Sequence, residues 1–116
     1  MEKNYTNIDF TKIEEMVEDD VDFRNQLLDA IEIAVEELET TYLKGIENKD
    51  SNSIKLARHK IKPTLGLFGL QRLSNILSEG KKLMEEGNFN SCLEGHMEDF
   101  KKATNAVLKD VREYRE

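Results

Sequence analysis

Four stretches of this chain place an apolar residue at every third or fourth position and polar residues between, a rhythm that only the 3.6-residue turn of an α-helix converts into a continuous stripe. From Val21 onward the stripe reads Phe23, Leu27, Ile31, Ala34, Leu38, Tyr42 and Ile46. The second reads Ile54, Ala57, Ile61, Leu65 and Phe68, the third Leu70, Leu73, Leu77 and Met84. The last runs Leu93, Met97, Phe100, Thr104, Val107, Val111 and Tyr114. Each helix has one apolar side and none is apolar all round, so the four must bury one another. The expected fold is all-α: an antiparallel four-helix bundle with a short extra N-terminal helix, residues 1–116 forming a single domain. The spacing of the last helix also suits a coiled-coil dimer, but a few heptads ended by caps more often pack inside a bundle.

Helix ends are marked by capping chemistry. Thr11 and Glu14 form a capping box that predicts a short helix starting near Lys12, and Asp19 and Asp20 punctuate it. Asn48 to Asp50 closes the long helix, and Asp50 or Ser51 caps the next. Gly69 breaks that helix, Gly87 and Asn88 end the fourth, and Ser91 with Glu94 forms a second capping box.

With 38% apolar and 35% charged residues, one proline and no tryptophan, the 116-residue chain can bury a core without cross-links. Cys92 is alone, which suits a reducing compartment. The start MEKNYTNIDF lacks the basic and apolar regions of a signal peptide, and Leu65 to Leu70 is far too short to span a bilayer. A cytoplasmic protein is expected, and Met1 with the full set of helices suits a free-standing one. A net charge of −7 argues against nucleic acid as a partner.

That charge is unevenly spread. Between Ser51 and Ser78 there is no Asp or Glu, while Lys55, Arg58, Lys60, Lys62 and Arg72 give the window +5, leaving −12 elsewhere. In its middle stands His59. At about 100° per residue, Ala57, Ile61, Thr64 and Phe68 point away from His59, whereas Asn52, Lys55, Lys62, Pro63 and Gly66 lie within about 60° of it. His59 is therefore expected on the outer face. Lys62 offers an ammonium one turn along, and Gly66 leaves bare backbone two turns along. Pro63 removes the amide that would bond the His59 carbonyl and is expected to kink the helix, at about 3 kcal/mol in an ordinary interior.

The run from His59 through Lys62, Pro63 and Thr64 to Gly69 resembles the signature of histidine-containing phosphotransfer domains, H-x-x-K-G-[ST] with a further glycine ten residues after the histidine. Lys62, Thr64 and Gly69 match its lysine, hydroxyl and second glycine; Pro63 departs from it, standing where most members have glycine. The likeness extends over nearly the whole chain, through a short leading helix, a long helix ending at an Asp, and a helix closing on Glu86 and Gly87. It implies a phosphorelay intermediate in which His59 takes a phosphoryl group from a receiver-domain aspartate and passes it to another receiver. Lys62 would shield the phosphoryl oxygens, with Lys60 and Lys55 as secondary candidates. Receivers of response regulators or hybrid histidine kinases would dock on Leu56, Pro63, Gly66, Leu67 and the outer side of the preceding helix. No cofactor of the chain's own is implied; Mg²⁺ would sit on the partner receiver. The competing class is a helical adaptor that binds a partner without transfer.

Other chemistry is less well served. HKIKPT also resembles the histidine box of sensor kinases, but Lys60 replaces the acidic residue there, the proline is one position early, and the chain has no room for an ATP-binding domain. Di-iron bundles need Glu-x-x-His, and Leu56 and Leu93 stand three residues before His59 and His96. His96, between Glu94 and Glu98, reads as a solvent-exposed histidine. Cys92 reads as a part-buried apolar residue, the acidic runs Glu14 to Asp22 and Glu36 to Glu39 as solvated surface, and the Met and Phe stripes as core.

Overall fold

A computed structural model describes residues 7–87, 89 and 93–115. Among these residues there are five helices and no strand: α1 (Phe10–Val17), α2 (Val21–Glu47), α3 (Ser51–Leu67), α4 (Gln71–Gly87) and α5 (Leu93–Arg115). None is long and apolar enough to cross a membrane. The readings at Asn88, Ser91 and Cys92 lie outside the described residues.

Three aspartates start three helices. Asp20 caps α2 by accepting from the Phe23 amide at 3.1 Å, and Asp50 caps α3 by accepting from the Ser53 amide at 3.2 Å and the Ser53 hydroxyl at 2.8 Å. These bonds favour the ionised Asp50 carboxyl and hold its pKa below the usual aspartate value. The first helix differs from expectation. Asp9, not Thr11, is its cap: the Asp9 carboxylate accepts from the Thr11 amide at 3.0 Å, and the helix opens at Phe10. Thr11 lies one residue inside, because Asp9 adopts the extended backbone a cap requires.

The helices close on a common core. α2 packs against α3 and α5, α4 packs against the same two, and α1 lies on α2. Leu28, Ile31, Val35, Ile54, Leu73, Phe100, Val107 and Val111 are nearly or wholly buried within it. In α2 the stripe is rotated from the expected one: Leu28 and Val35 turn inward, while Phe23 is 40% exposed. Leu27 and Leu28 are adjacent apolar residues about 100° apart, so spacing alone cannot choose between them. At the end of α3, Gly69 takes a left-handed φ of 66°, and a Cβ there would lie 2.9 Å from the Asp9 Cβ. Beside this close approach the Asp9 amide donates to the Phe68 carbonyl at 2.9 Å, so α1 and the α3–α4 turn are locked together.

The acidic run of α2 is not simply solvated. Glu36 reaches Arg112 at 3.3 Å, Glu39 accepts from the Thr104 hydroxyl at 2.7 Å, and Glu37 pairs with Lys60. Three neighbouring carboxylates thus reach two other helices, because α2 lies between α3 and α5. The two exposed ion pairs, Glu36–Arg112 and Glu37–Lys60, contribute about 0–1 kcal/mol each, so they fix register more than they stabilise.

His96 is a larger correction. It is only 6% exposed, and its Nε2 shares a 2.7 Å hydrogen bond with the Tyr42 hydroxyl. The two rings meet edge to face with centroids 5.8 Å apart. Gly80 of α4 makes the room: a Cβ there would come within 2.2 Å of His96 Nε2 and 2.3 Å of the Tyr42 oxygen. Burial pushes the His96 pKa down, opposed by Glu79 and Asp99, and pushes the Tyr42 hydroxyl up, opposed by Arg58. Both groups are therefore held neutral.

Folded His96 takes up a proton less readily than unfolded His96, so its contribution is complete above about pH 6.5 and is lost as pH falls below that value. Urea-unfolding midpoints should decline from pH 7 to pH 5, and His96→Gln should flatten the decline. Gly80→Ala should lower unfolding free energy by about 3 kcal/mol through overpacking.

Candidate functional site

His59 stands on the outer surface of α3, exposed, on a ridge between two grooves of opposite chemistry. The split follows from helical geometry. Measured around the α3 axis from His59, Lys55, Lys62 and Arg58 fall on one side at about 40–100°, while Pro63, Leu56, Leu67 and Lys60 fall on the other at similar angles. The first side faces α4 and the second faces α2.

Towards α4 lies a groove of about 480 Å³ lined by Lys55, Arg58, His59, Lys62 and Leu65 from α3 and Ser74, Leu77, Ser78, Lys81 and Glu85 from α4. Four cations there meet one carboxylate. Towards α2 lies a groove of about 440 Å³ with an apolar lining that includes Ala30, Ile33, Ala34, Leu56 and Ala57. Leu56 and Ile33 on its rim are 68% and 63% exposed, the most open large apolar side chains among the described residues. Glu37 and Lys60 also line this groove, and they pair across it.

The site residues read from the sequence therefore divide. His59, Lys55 and Lys62 share the cationic groove. Lys60 does not join them: its ammonium is paired with Glu37 on the α2 side. Leu56 belongs to the apolar groove. Pro63, Gly66 and Leu67 are exposed further along α3, lining neither groove. A Cβ on Gly66 would meet nothing within 4 Å, and its carbonyl accepts a long 3.5 Å bond from Lys12 of α1. Helix α3 runs through Pro63 without interruption. Since His59 and Pro63 are both exposed, the bond that the proline removes falls on the solvent side, where water can replace it.

Sequence reasoning missed the whole α4 wall. Ser78 ends the acid-free window and Lys81 lies beyond it, among Glu79, Glu85 and Glu86, so local charge counting gave no reason to single Lys81 out. On the other rim, Ile33 was equally invisible, because it falls off the α2 stripe. Among the described residues no group of three or more His, Cys, Asp or Glu side chains is arranged to hold a metal ion.

Comparison with protein-family models, with curated proteins and with solved structures gives no match for this chain. An exposed imidazole is a nucleophile that can carry a covalent group, and the cations beside it can neutralise an anionic one.

The two histidines should differ sharply in reactivity. Diethyl pyrocarbonate should modify His59 in the folded protein and reach His96 only after denaturation, as read by mass spectrometry of peptides. Equal modification of both rings under native conditions would contradict the burial of His96.

Proposed function

We propose that this protein is a phosphorelay intermediate, an antiparallel four-helix bundle with a short N-terminal helix that works in the cytoplasm on receiver domains. The observation that carries this reading is the exposed His59 between a cationic groove and an apolar one. A phosphotransfer site needs both: one surface to neutralise the group in transit, another to hold the partner in line.

In the proposed reaction the outer imidazole nitrogen of His59 attacks the phosphorus of a receiver phosphoaspartate. The N–P bond forms as the P–O bond to the aspartate breaks, and the carboxylate leaves with the electron pair. Transfer to the next receiver is the same step reversed on a different carboxylate. Such a transfer asks mainly for alignment and for charge neutralisation of the equatorial oxygens. Mg²⁺ would be supplied by the receiver. Lys62, one turn from His59 and in the same groove, is the first cation for the oxygens, and Lys55 lines the groove a turn earlier. Lys60, tied to Glu37, acts instead at the edge of the docking surface.

Docking is assigned to the apolar groove. Ile33 and Leu56 would bury on a partner what they expose here, at about 25 cal/mol per Å² of apolar area. Leu67, at 52% exposure, and Pro63 would extend this patch along α3.

Incubation with a phosphorylated receiver should leave acid-labile, alkali-stable phosphate on the wild type and none on His59→Gln. An unlabelled wild type, or equal labelling of the variant, would refute the relay and leave an adaptor. Lys62→Ala should slow transfer roughly tenfold, with circular dichroism unchanged. Leu56→Glu and Ile33→Asp should raise the receiver concentration for half-maximal transfer by tenfold or more, while leaving the lifetime of phosphohistidine unaltered.

A further inference from the structure

The cationic groove has two walls, and only one belongs to the helix that bears His59. On α4 the residues Ser74, Ser78, Lys81 and Glu85 recur at steps of three and four, so a single face of that helix meets the groove. We propose that Lys81 is an anion-contacting residue of the site, closing over the oxygens of a phosphoryl group from the α4 side while Arg58 holds them from the groove wall. The biological meaning of this contact rests on the phosphotransfer reading; the anion site itself stands on the charges that line the groove.

Position and pairing support it. Lys55, Arg58, Lys62 and Lys81 all line the groove, and among the described residues none of the four is in an ion pair. By contrast Arg24, Lys60, Arg112 and Arg115 are each matched to a carboxylate. Four cations therefore converge on one cleft of an acidic protein with one carboxylate, Glu85, to oppose them. A phosphoryl group spreads nearly two negative charges over three oxygens, and Lys62 approaches them from the α3 side only. Arg58 is half-buried, its charge is felt at the Tyr42 hydroxyl, and its planar fork suits a fixed contact with two oxygens. Lys81 is exposed on a flexible stem suited to closing over a group that arrives and leaves. Glu85, one turn after Lys81, repels the same anion and keeps it from being held too tightly to pass on.

The test needs no partner. In the full chain with isotope-labelled histidine, inorganic phosphate is titrated at constant ionic strength while the ring signals of His59 are followed by NMR. A saturable response is expected, weakened roughly fivefold by Lys81→Gln, tightened two- to threefold by Glu85→Gln, and unchanged by Lys82→Gln, which removes an exposed charge from the same helix outside the groove. No saturable response in the wild type, or equal effects of Lys81→Gln and Lys82→Gln, would overturn the inference. Receiver-driven labelling then separates this claim from the relay itself. Phosphate binding that depends on Lys81 in a protein that never takes label would leave the anion site standing and remove the relay. Normal relay with Lys81→Gln indistinguishable from Lys82→Gln would do the reverse.

Discussion

The narrowness of the buried stripe on α3 governs the rest of this molecule. Only Ile54, Ala57 and Ile61 of that helix are fully buried, so most of its circumference is left to solvent. A broader stripe would have drawn α3 into the core and taken His59 or its flanking cations with it. Because α2 and α4 both pack on α3, the open remainder becomes a ridge with a groove on each flank. The same packing that buries three aliphatic residues therefore creates a surface on which an imidazole meets a cationic cleft and an apolar cleft at once.

Within the core, the helices are held by a polar contact that tolerates little change. Tyr42 from α2 and His96 from α5 share a buried hydrogen bond, and Gly80 of α4 sits over it with no space for a methyl group. Leaving either partner unsatisfied in the core would cost about 1–3 kcal/mol, so the pair fixes how the three helices meet. Lys81 is the next residue on α4 and Arg58 is near enough to influence Tyr42. Two residues of the cationic groove, Arg58 and Lys81, thus neighbour this buried pair in space or in sequence.

Much was legible beforehand. The helix starts at Val21 and after Asp50, the break at Gly69 and the outward direction of His59 all follow from capping chemistry, glycine conformation and the 3.6-residue turn. The misses have local causes. Asp9 out-competed Thr11 as a cap because the backbone conformation at that point, which sequence does not reveal, was the extended one. His96, expected in solvent, is buried: Leu93, His96, Phe100 and Ala103 keep the three-four spacing of an inward face, while Glu94 and Glu98 on either side of the ring point to an exposed one. Phe23 was misassigned because the adjacent Leu27 and Leu28 leave the phase of the α2 stripe open by one residue.

By itself the sequence determined that the chain is helical, where most helices begin and end, and which face of α3 presents His59, since those properties depend on neighbours within one or two turns. The partition of the cations was beyond it. Whether a lysine lies beside His59 or is tied to a carboxylate depends on which helix packs against which side of α3, and that is settled by residues distant in the chain. Tertiary packing drew Lys60 to Glu37 and brought Lys81 into the groove that His59 lines, across 22 residues, because charge acts through space and not along sequence.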